Sequence, residues 1–228
     1  MRSSTQDGPG TDTRDRLLDA AEQLFAKHGY SDVSTRQIAD EAKANSAAVH
    51  YHFGSKEALL DAVFRRRLDP LNRVRIERIK ASVASGKEPD IEELIRAFLE
   101  PPLTLPETDG ERYFRLLAGR ASIDPNPDVK RILFSVYDEV GHSFVEAAIA
   151  ACPHLDKEEL FWRVACIYGA MLYIRADNGR LQAIFGEDYS LSKGDGALRY
   201  AIPFLIAGMR SAPVGSTSTP TSQDEEPA

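Results

Sequence analysis

The feature that most constrains this chain is a pair of short helix signals separated by a tight turn, beginning at Ser34. Ser34 is a favourable N-cap, and Gln37 follows it at the spacing of a capping box. A second N-cap candidate, Asn45, precedes another short helix over about residues 46–51. Two helices joined by such a turn predict a helix-turn-helix arrangement.

The surface of the second helix is small and polar. Val49 is its one large aliphatic residue and is predicted to anchor it in the core. The residues predicted to point outward are Asn45, Ser46, Ala47, Ala48, His50 and Tyr51. Asn and His side chains can reach base edges in a major groove, and Tyr or Ala can contact a thymine methyl. Thr35, Arg36 and Lys56 stand at helix starts, where backbone amides and positive charge favour phosphate.

The segments LLDAAEQLFAKHGY, VSTRQIADEA and AAVHYHFGSKEALL, between Thr13 and Leu60, resemble the DNA-binding domain of the tetracycline-repressor (TetR) regulators. The resemblance implies that phosphate contacts fall on Thr35, Tyr51, His52 and Lys56. It implies base-reading positions at Arg36, Asn45, Ser46, Ala48 and His50. The expected partner is therefore double-stranded DNA carrying an inverted repeat.

Two positions depart from the family pattern. The family usually has glycine in the turn where this chain has Lys43, and tyrosine where this chain has His50. Lys43 is therefore expected to adopt a turn conformation that suits glycine better. His50 replaces one expected DNA contact and makes the operator sequence less predictable from the family.

The charge balance does not by itself indicate nucleic-acid binding. The 228 residues carry a formal net charge of −7, and the pI is about 5.3. The run Arg65, Arg66, Arg67 concentrates positive charge near the predicted binding surface, although a solvated helix face explains such a run equally well.

The chain ends and the cysteines indicate a cytoplasmic protein. Residues 1–12 are polar with no apolar run, which predicts a disordered arm rather than a signal peptide. Residues 213–228 are rich in Ser, Thr and Pro, end in DEEPA, and predict a disordered acidic tail. Cys152 and Cys166 suit a reducing compartment, and both are predicted to be buried structural thiols.

The whole chain predicts an all-α fold of two domains, because no segment alternates at period two. The predicted domains are a three-helix helix-turn-helix domain at residues 13–60 and a helical ligand-binding and dimerisation domain at residues 61–212. Pro70 is expected to kink or interrupt the connecting helix, and Pro101, Pro102 and Pro106 are expected to enforce a loop.

The helix starting near Asp156 is apolar almost all round, and the last helix is also rich in apolar residues. Such a helix has no solvent face, and its apolar run is too short for a membrane span, so no membrane partner is predicted. A four-helix seam between two subunits accounts for it, as the resemblance also implies, and a monomer core is the alternative. The residues predicted at this homodimer interface are Phe161, Ile167, Met171, Leu198, Ile202, Leu205 and Met209.

Signals for catalysis, cofactors and metals are weak. The chain has no phosphate loop, dinucleotide fingerprint or zinc-protease pattern, so neither an enzyme nor a cofactor is predicted. Glu139 and His142 have a spacing that fits a metal pair, but a solvated helix face is the better explanation. Polar anchors for a small-molecule pocket are predicted at Arg115, Arg120, Tyr137, His142 and Tyr168, with ordinary core or surface positions as the alternative.

Two functional hypotheses remain open. The first is a repressor that a small apolar or amphipathic ligand, with an acidic head, releases from DNA. The second is a dimeric DNA-binding or adaptor protein whose C-terminal domain binds another protein. A closed, mainly apolar cavity in the C-terminal domain would favour the first.

Overall fold

The computed structural model of the chain describes residues 9–84, 89–106, 108–176, 178–191 and 195–214, with side chains from residue 13 onward. All regular structure in these residues is helical, which confirms the predicted all-α fold. The helices are α1 (Pro9–His28), α2 (Thr35–Glu41), α3 (Ala48–Phe53), α4 (Lys56–Val83), α5 (Ile91–Leu103), α6 (Asp109–Ile123), α7 (Pro127–Ala151), α8 (Lys157–Ala176), α9 (Arg180–Phe185) and α10 (Ile202–Arg210). A π-helical segment, Ala197–Ala201, leads directly into α10.

Local signals set several helix ends. Gly29, with φ of 86°, follows α1 in the left-handed region that glycine tolerates. Gly54 ends α3 at a φ of 81°, and the Ser55 side chain then accepts the Ala58 N–H at 3.1 Å and caps α4. At α8, the Asp156 side chain accepts the Glu159 N–H. These caps satisfy donors and acceptors that a helix end otherwise leaves without partners.

The first hydrophobic core joins the helix-turn-helix to parts of α4, α6 and α7. Leu17, Phe25 and Ile38 are fully buried in it, together with Phe64 of α4 and Phe114 of α6. The three N-terminal helices therefore do not form a separate core of their own. Their apolar faces are completed by the C-terminal part of the chain, because a short three-helix unit offers too little surface to bury alone.

A second core lies among α5, α8, α10 and the distal halves of α4 and α7. Phe98 of α5 stacks on Phe144 of α7, with ring centroids 4.3 Å apart, and Tyr168 of α8 packs against the same Phe98 ring. Because α4 and α7 contribute to both cores, they connect the N-terminal unit, which consists of helices α1, α2 and α3, to the rest of the molecule.

Several boundary predictions need correction. α1 begins at Pro9, so the arm predicted as disordered through residue 12 is helical in its last residues. α4 is continuous through Pro70, which lies on an exposed face where water can satisfy the carbonyl that a proline leaves without a donor. The boundary predicted after residue 60 therefore falls within one unbroken helix. α5 likewise continues through Pro101 and Pro102 before it ends.

The predictions for residues 1–8 of the arm and 215–228 of the tail lie outside the described residues. α9 was not predicted. In the part of the chain that the structure describes, none of the helices combines the length and the apolar character that crossing a bilayer requires.

Candidate nucleic-acid interface and ligand cavity

α2 is fixed by its cap and by its buried face. The Ser34 hydroxyl accepts the Gln37 N–H at 3.2 Å, and the Ser34 N–H donates to Gln37 Oε1 at 2.8 Å, which completes the predicted capping box. Ile38 and Ala39 are fully buried. Arg16 of α1 donates to the Ala42 carbonyl at the end of α2, at 3.1 Å. α2 is thus held against α1, and the turn after it presents α3.

α3 turns a polar face to solvent. Asn45, Ser46 and His50 are exposed, and Tyr51 is 84% exposed, as their predicted base and phosphate roles require. The helix starts at Ala48 rather than Ser46, because the Asn45 side chain accepts the Ala47 N–H at 2.9 Å and forms a turn there.

The predicted outward position of Ala48 is wrong. Ala48 is buried with Val49 in the first core, so its methyl group is turned away from the surface that would meet a base. Two adjacent residues share the anchoring face because α3 is short and packs against both α2 and α4. The polar surface of α3 therefore consists of the residues that flank this pair.

The remaining positions predicted to contact DNA differ in accessibility. The Arg36 side chain, predicted to read bases, is 84% exposed, and Thr35 and His52 are partly exposed. Lys56 Nζ instead donates to the Tyr30 carbonyl at 2.6 Å and lies 4.1 Å from the centre of the Tyr30 ring. Partial burial of the ammonium group lowers the pKa of Lys56. An ammonium carries three donors, so the bond to Tyr30 leaves the group able to bind phosphate as well.

The turn between α2 and α3 has the strain predicted for Lys43. Its φ is 51°, and no other non-glycine residue in the described chain has a positive φ. A left-handed conformation costs an ordinary residue about 1 kcal/mol. The chain tolerates this cost because the Ala44 N–H still reaches the Ala39 carbonyl at 2.9 Å and closes the turn.

The residues predicted to line one pocket are divided between two places. Arg115 and Tyr137 line a cavity of about 30 Å³ between α4, α6, α7 and α8. His142 and Tyr168 border a separate, solvent-open groove on α7 and α8, and His142 is itself exposed with Nδ1 2.6 Å from the Asp138 carbonyl. Arg120 is exposed and does not line the cavity. The cavity is thus small, and three arginines line it together with apolar side chains.

The most buried group of this cavity, Arg75, was not predicted. Its side chain is 1% exposed, and its guanidinium lies 4.3 Å from the centre of the Phe98 ring. Burial lowers the pKa of Arg75 to about 10, which leaves it charged at neutral pH. A signal existed in the sequence, because Leu71, Arg75 and Ile79 fall on one face of α4 at a spacing of four residues.

Arg75 makes contacts that explain its position. Its Nε donates to the Phe98 carbonyl at 2.7 Å. Pro102 follows Phe98 by four residues in α5 and has no N–H to offer that carbonyl. Arg75 therefore supplies the missing donor. Its other nitrogens reach Asn72 Oδ1 at 3.3 Å and Met171 Sδ at 2.9 Å, and Asn72 donates in turn to the Val136 carbonyl.

A second arginine of the cavity, Arg175, is paired. It donates to Glu111 Oε1 at 2.7 Å and to the Pro102 carbonyl at 3.1 Å. Glu111 is 6% exposed, and its burial raises the pKa of the carboxyl although Arg175 and Arg115 oppose this effect.

An ion-pair network joins α4 to α1. Glu22 is 3% exposed and accepts from Arg66 at 3.0 Å and from Arg67 at 2.7 Å, while Arg66 also reaches Asp19 at 2.7 Å. Arg65 pairs with Asp61 on the surface of α4. The arginine run, considered as positive charge for DNA or as a solvated face, thus mainly ties the connecting helix to the N-terminal unit.

The predicted dimer residues are mostly inside the subunit. The residues buried in its own second core are Ile167, Met171, Ile202, Leu205 and Met209. Leu198 is half-buried against that core, and only Phe161 is exposed. The prediction chose the wrong face because α8 is apolar nearly all round and its pattern does not show which side faces the subunit interior.

The outer faces of α8 and α10 are still apolar. Phe161, Trp162 and Leu172 of α8 are 64%, 62% and 44% exposed, and Phe204 of α10 is 77% exposed. Cys166 also lies exposed on α8, so its predicted burial within the subunit is wrong, whereas Cys152 is buried as predicted. Exposed apolar surface of this extent marks an interaction face.

Among the described side chains, no group of three or more His, Cys, Asp or Glu residues is placed to hold a metal ion.

Comparisons with known proteins match both halves of the chain. A family model described as "Bacterial regulatory proteins, tetR family" matches residues 17–63. A second, described as "Tetracyclin repressor-like, C-terminal domain", matches residues 96–208. The HTH-type transcriptional regulator BetI of Brucella canis is 30% identical over 165 residues, which make up 71% of this chain and 78% of BetI.

Other matches are shorter or more distant. The HTH-type transcriptional repressor KstR2 of Rhodococcus jostii is 40% identical over 73 residues, which span only 34% of KstR2 and 32% of this chain. A solved structure titled "SmeT-Triclosan complex" has the same fold, with a TM-score of 0.59 and 18% identity, and covers 95% of this chain and 99% of that one. The family models and these relatives describe transcriptional regulators rather than enzymes.

Proposed function

This chain belongs to the tetracycline-repressor family of transcriptional regulators, and from that premise we propose that it is a homodimeric repressor that binds an inverted-repeat operator. The observation that carries the proposal is the exposed polar face of α3, held outward by two buried residues and by the capped α2. Such a helix fits a major groove. A regulator of this kind acts in the cytoplasm, where bacterial DNA is found.

The proposed DNA contacts follow the exposure of the side chains. Base edges would be read by the residues that flank the buried Ala48–Val49 pair and by the start of α2, namely Arg36, Asn45, Ser46 and His50. Phosphates would be held by Thr35, Tyr51, His52 and Lys56. Ala48 is left out of this set because it is buried.

Dimerisation is proposed through the outer faces of α8 and α10, where Phe161, Trp162 and Phe204 are exposed. Pairing these faces in two subunits would bury them in a four-helix seam. The two α3 helices would then meet half-sites about 34–36 Å apart, or one turn of DNA, if they are not splayed further. The N-terminal unit is thus proposed to read DNA, and the remaining helices to dimerise and to receive a signal.

The regulatory step is proposed to be release from DNA by a small molecule bound in the C-terminal helices. α4 and α7 reach from the cavity into the core beneath α2 and α3, so a shift at one end can change the position of the other. A ligand must bind the released state more tightly, and a tenfold loss of DNA affinity requires about 1.4 kcal/mol of coupling.

Footprinting of the chain's own promoter region, together with sedimentation, tests the DNA-binding part of the proposal. We expect a dimer and a protected inverted repeat. Lys56→Ala should weaken binding to all duplexes alike. It should also lower, by about one, the steepness with which the logarithm of the binding constant falls with the logarithm of salt concentration. Lys80→Ala, an exposed lysine at the far end of α4, should leave that slope unchanged.

The reading face of α3 needs a separate variant. Asn45 also holds the Ala47 N–H, so its replacement would disturb the start of the helix. His50→Ala is cleaner because His50 is exposed, and we expect it to change which operator sequence is preferred. A monomer at micromolar concentration without any footprint would contradict the proposal.

A further inference from the structure

The interior of the C-terminal helices holds a buried positive charge, that of Arg75. Arg75 takes part in none of the ion pairs found among the described residues, and the neighbouring charge of Arg175 is also positive and lowers the pKa of Arg75 further. Moving a cation out of water costs several kcal/mol unless an anion compensates for it. The hydrogen bond to the Phe98 carbonyl explains where Arg75 points, but it does not neutralise the charge.

One part of the Arg75 guanidinium has a weak partner. Its Nη2 donates to the sulfur of Met171, a poor acceptor, and both residues line the cavity. Arg115 and Arg175 line the same cavity, together with the Tyr137 side chain. Three arginines therefore line one space, and the buried carboxylate of Glu111 reaches it through its pair with Arg175.

We propose that this cavity binds the carboxylate of a small organic acid, with Arg75 and Arg175 as the charged partners of the acid head. The inference rests on the proposed function, because it identifies the chemical class of the signal that releases the regulator. A planar guanidinium and a carboxylate match in two parallel hydrogen bonds, which makes arginine a selective partner for this group.

The size of the cavity limits the acid. A volume of about 30 Å³ holds the head group and little more. The apolar body of the acid therefore extends toward the outer rim between α6 and α8, where Ala118, Gly119 and Leu172 lie, and Leu172 is 44% exposed. A compact body such as a short alkyl chain or one aromatic ring fits this arrangement.

The position of Arg175 connects this site to the N-terminal unit. A bound carboxylate competes with Glu111 for Arg175. Glu111 also interacts with Arg67, whose guanidinium lies against Gly110 and holds the buried Glu22 of α1. A change in the pairing of Glu111 therefore changes the electrostatic surroundings of Arg67, which ties α4 to α1.

Calorimetry on the full-length protein without DNA tests the site. Matched sets of hexanoate, hexanol and hexylamine, and of benzoate and benzyl alcohol, separate charge from shape. We expect at least one acid of a series from acetate to decanoate and naphthoate to bind, and to bind at least about tenfold tighter than its alcohol. Equal affinity of acid and alcohol, or no binding by any acid, overturns the proposal.

Two variants locate the site. Arg75→Met should abolish the preference for the acid, whereas Arg131→Met, at an exposed arginine paired with Asp128, should not. Should Arg75→Met fail to fold, Gly119→Phe serves instead, because Gly119 lines the cavity and a Cβ added there has no atom within 4 Å, so the bulky ring is expected to block the rim. Unchanged acid binding in Gly119→Phe contradicts the assigned location.

Failure of this inference differs from failure of the proposed function. Footprinting without any ligand reports on DNA binding alone, and calorimetry without DNA reports on the acid site alone. A protein that protects its operator but binds no acid keeps the DNA-binding role and loses the acid site. A protein that binds an acid through Arg75 but protects no DNA has the opposite outcome.

Discussion

Helix α4 carries arginines at two positions, one pair half-buried and one residue fully buried, that differ in how their charge is compensated. Near its start, Arg66 and Arg67 share Glu22 of α1 and keep 26% and 31% of their side-chain surface exposed. Two turns later, Arg75 is 1% exposed and has no carboxylate partner among the described residues. The charges of Arg66 and Arg67 are compensated by carboxylates of α1, and these ion pairs fix α4 on the N-terminal unit. In the proposed site, the charge of Arg75 is compensated only when an anionic ligand binds.

This contrast separates a structural charge from a charge that awaits a ligand. A buried ion pair adds little net stability, but removing one partner costs a great deal because the other remains buried and charged. A buried charge that was never paired carries that cost already, and removing it should be tolerated. The stabilities of matched variants therefore distinguish the two groups.

The largest effect is expected at the paired end. Glu22→Gln leaves Arg66 and Arg67 without their shared carboxylate and should lower the free energy of unfolding by about 3 kcal/mol. Chemical denaturation of the protein at one fixed concentration measures this change. Asp61→Asn, which removes the exposed partner of Arg65, is the control and should cost less than about 1 kcal/mol. Equal losses in the two variants would show that the Glu22 pairs are ordinary surface contacts.

A smaller effect is expected at the unpaired end. Arg75→Met removes a buried charge but also leaves the Phe98 carbonyl without its donor, and these changes oppose each other. The net change in the free energy of unfolding should stay within about 1 kcal/mol. If Arg75→Met destabilises the protein as much as Glu22→Gln does, then Arg75 is compensated by groups other than a ligand, and the contrast between the two ends disappears.

The N-terminal unit carries an uncompensated cost of a different kind, in the backbone of its turn. Lys43→Gly removes the strain of a φ of 51° and should stabilise the protein by about 0.5–1 kcal/mol, since glycine adopts this region freely. Thermal unfolding should show a higher Tm. Lys27→Gly, at an exposed position in the last turn of α1, should lower the Tm because glycine has a lower helix propensity than lysine. A lower Tm for Lys43→Gly would mean that the lysine side chain itself stabilises the turn.

The smallest effect concerns Glu111, which lies between the two arginine groups. Burial raises the pKa of its carboxyl above the ordinary 4.5, so the folded protein holds this proton more tightly than the unfolded chain. Stability from this group is therefore fully present below pH 4.5 and is lost as the pH rises through the folded pKa. Glu111→Gln should remove this decline from a plot of unfolding free energy against pH. An identical slope in wild type and variant would contradict the assignment.

Sequence signals that act over a few residues predicted the N-terminal unit well. Ser34 with Gln37, Gly54 with Ser55, and Lys43 in the turn all behave as their local chemistry requires. Caps and positive φ values depend on neighbours within one turn, which the sequence shows directly. The same local reading failed at the prolines, because a helix can continue through a proline when solvent or another side chain satisfies the orphaned carbonyl.

The sequence by itself determined that this chain is all helical, where its helix-turn-helix lies and which family it resembles. Only the tertiary structure decided that Ala48 faces inward, that α8 turns Ile167 and Met171 inward and Phe161 outward, and that Arg75 lies beneath Phe98. The physical reason is that the choice of a buried face depends on surfaces supplied by distant segments. The sequence of a helix that is apolar all round does not show which of its faces a distant segment will cover. The sequence around an arginine among apolar residues does not show which distant carbonyl will need its N–H donor.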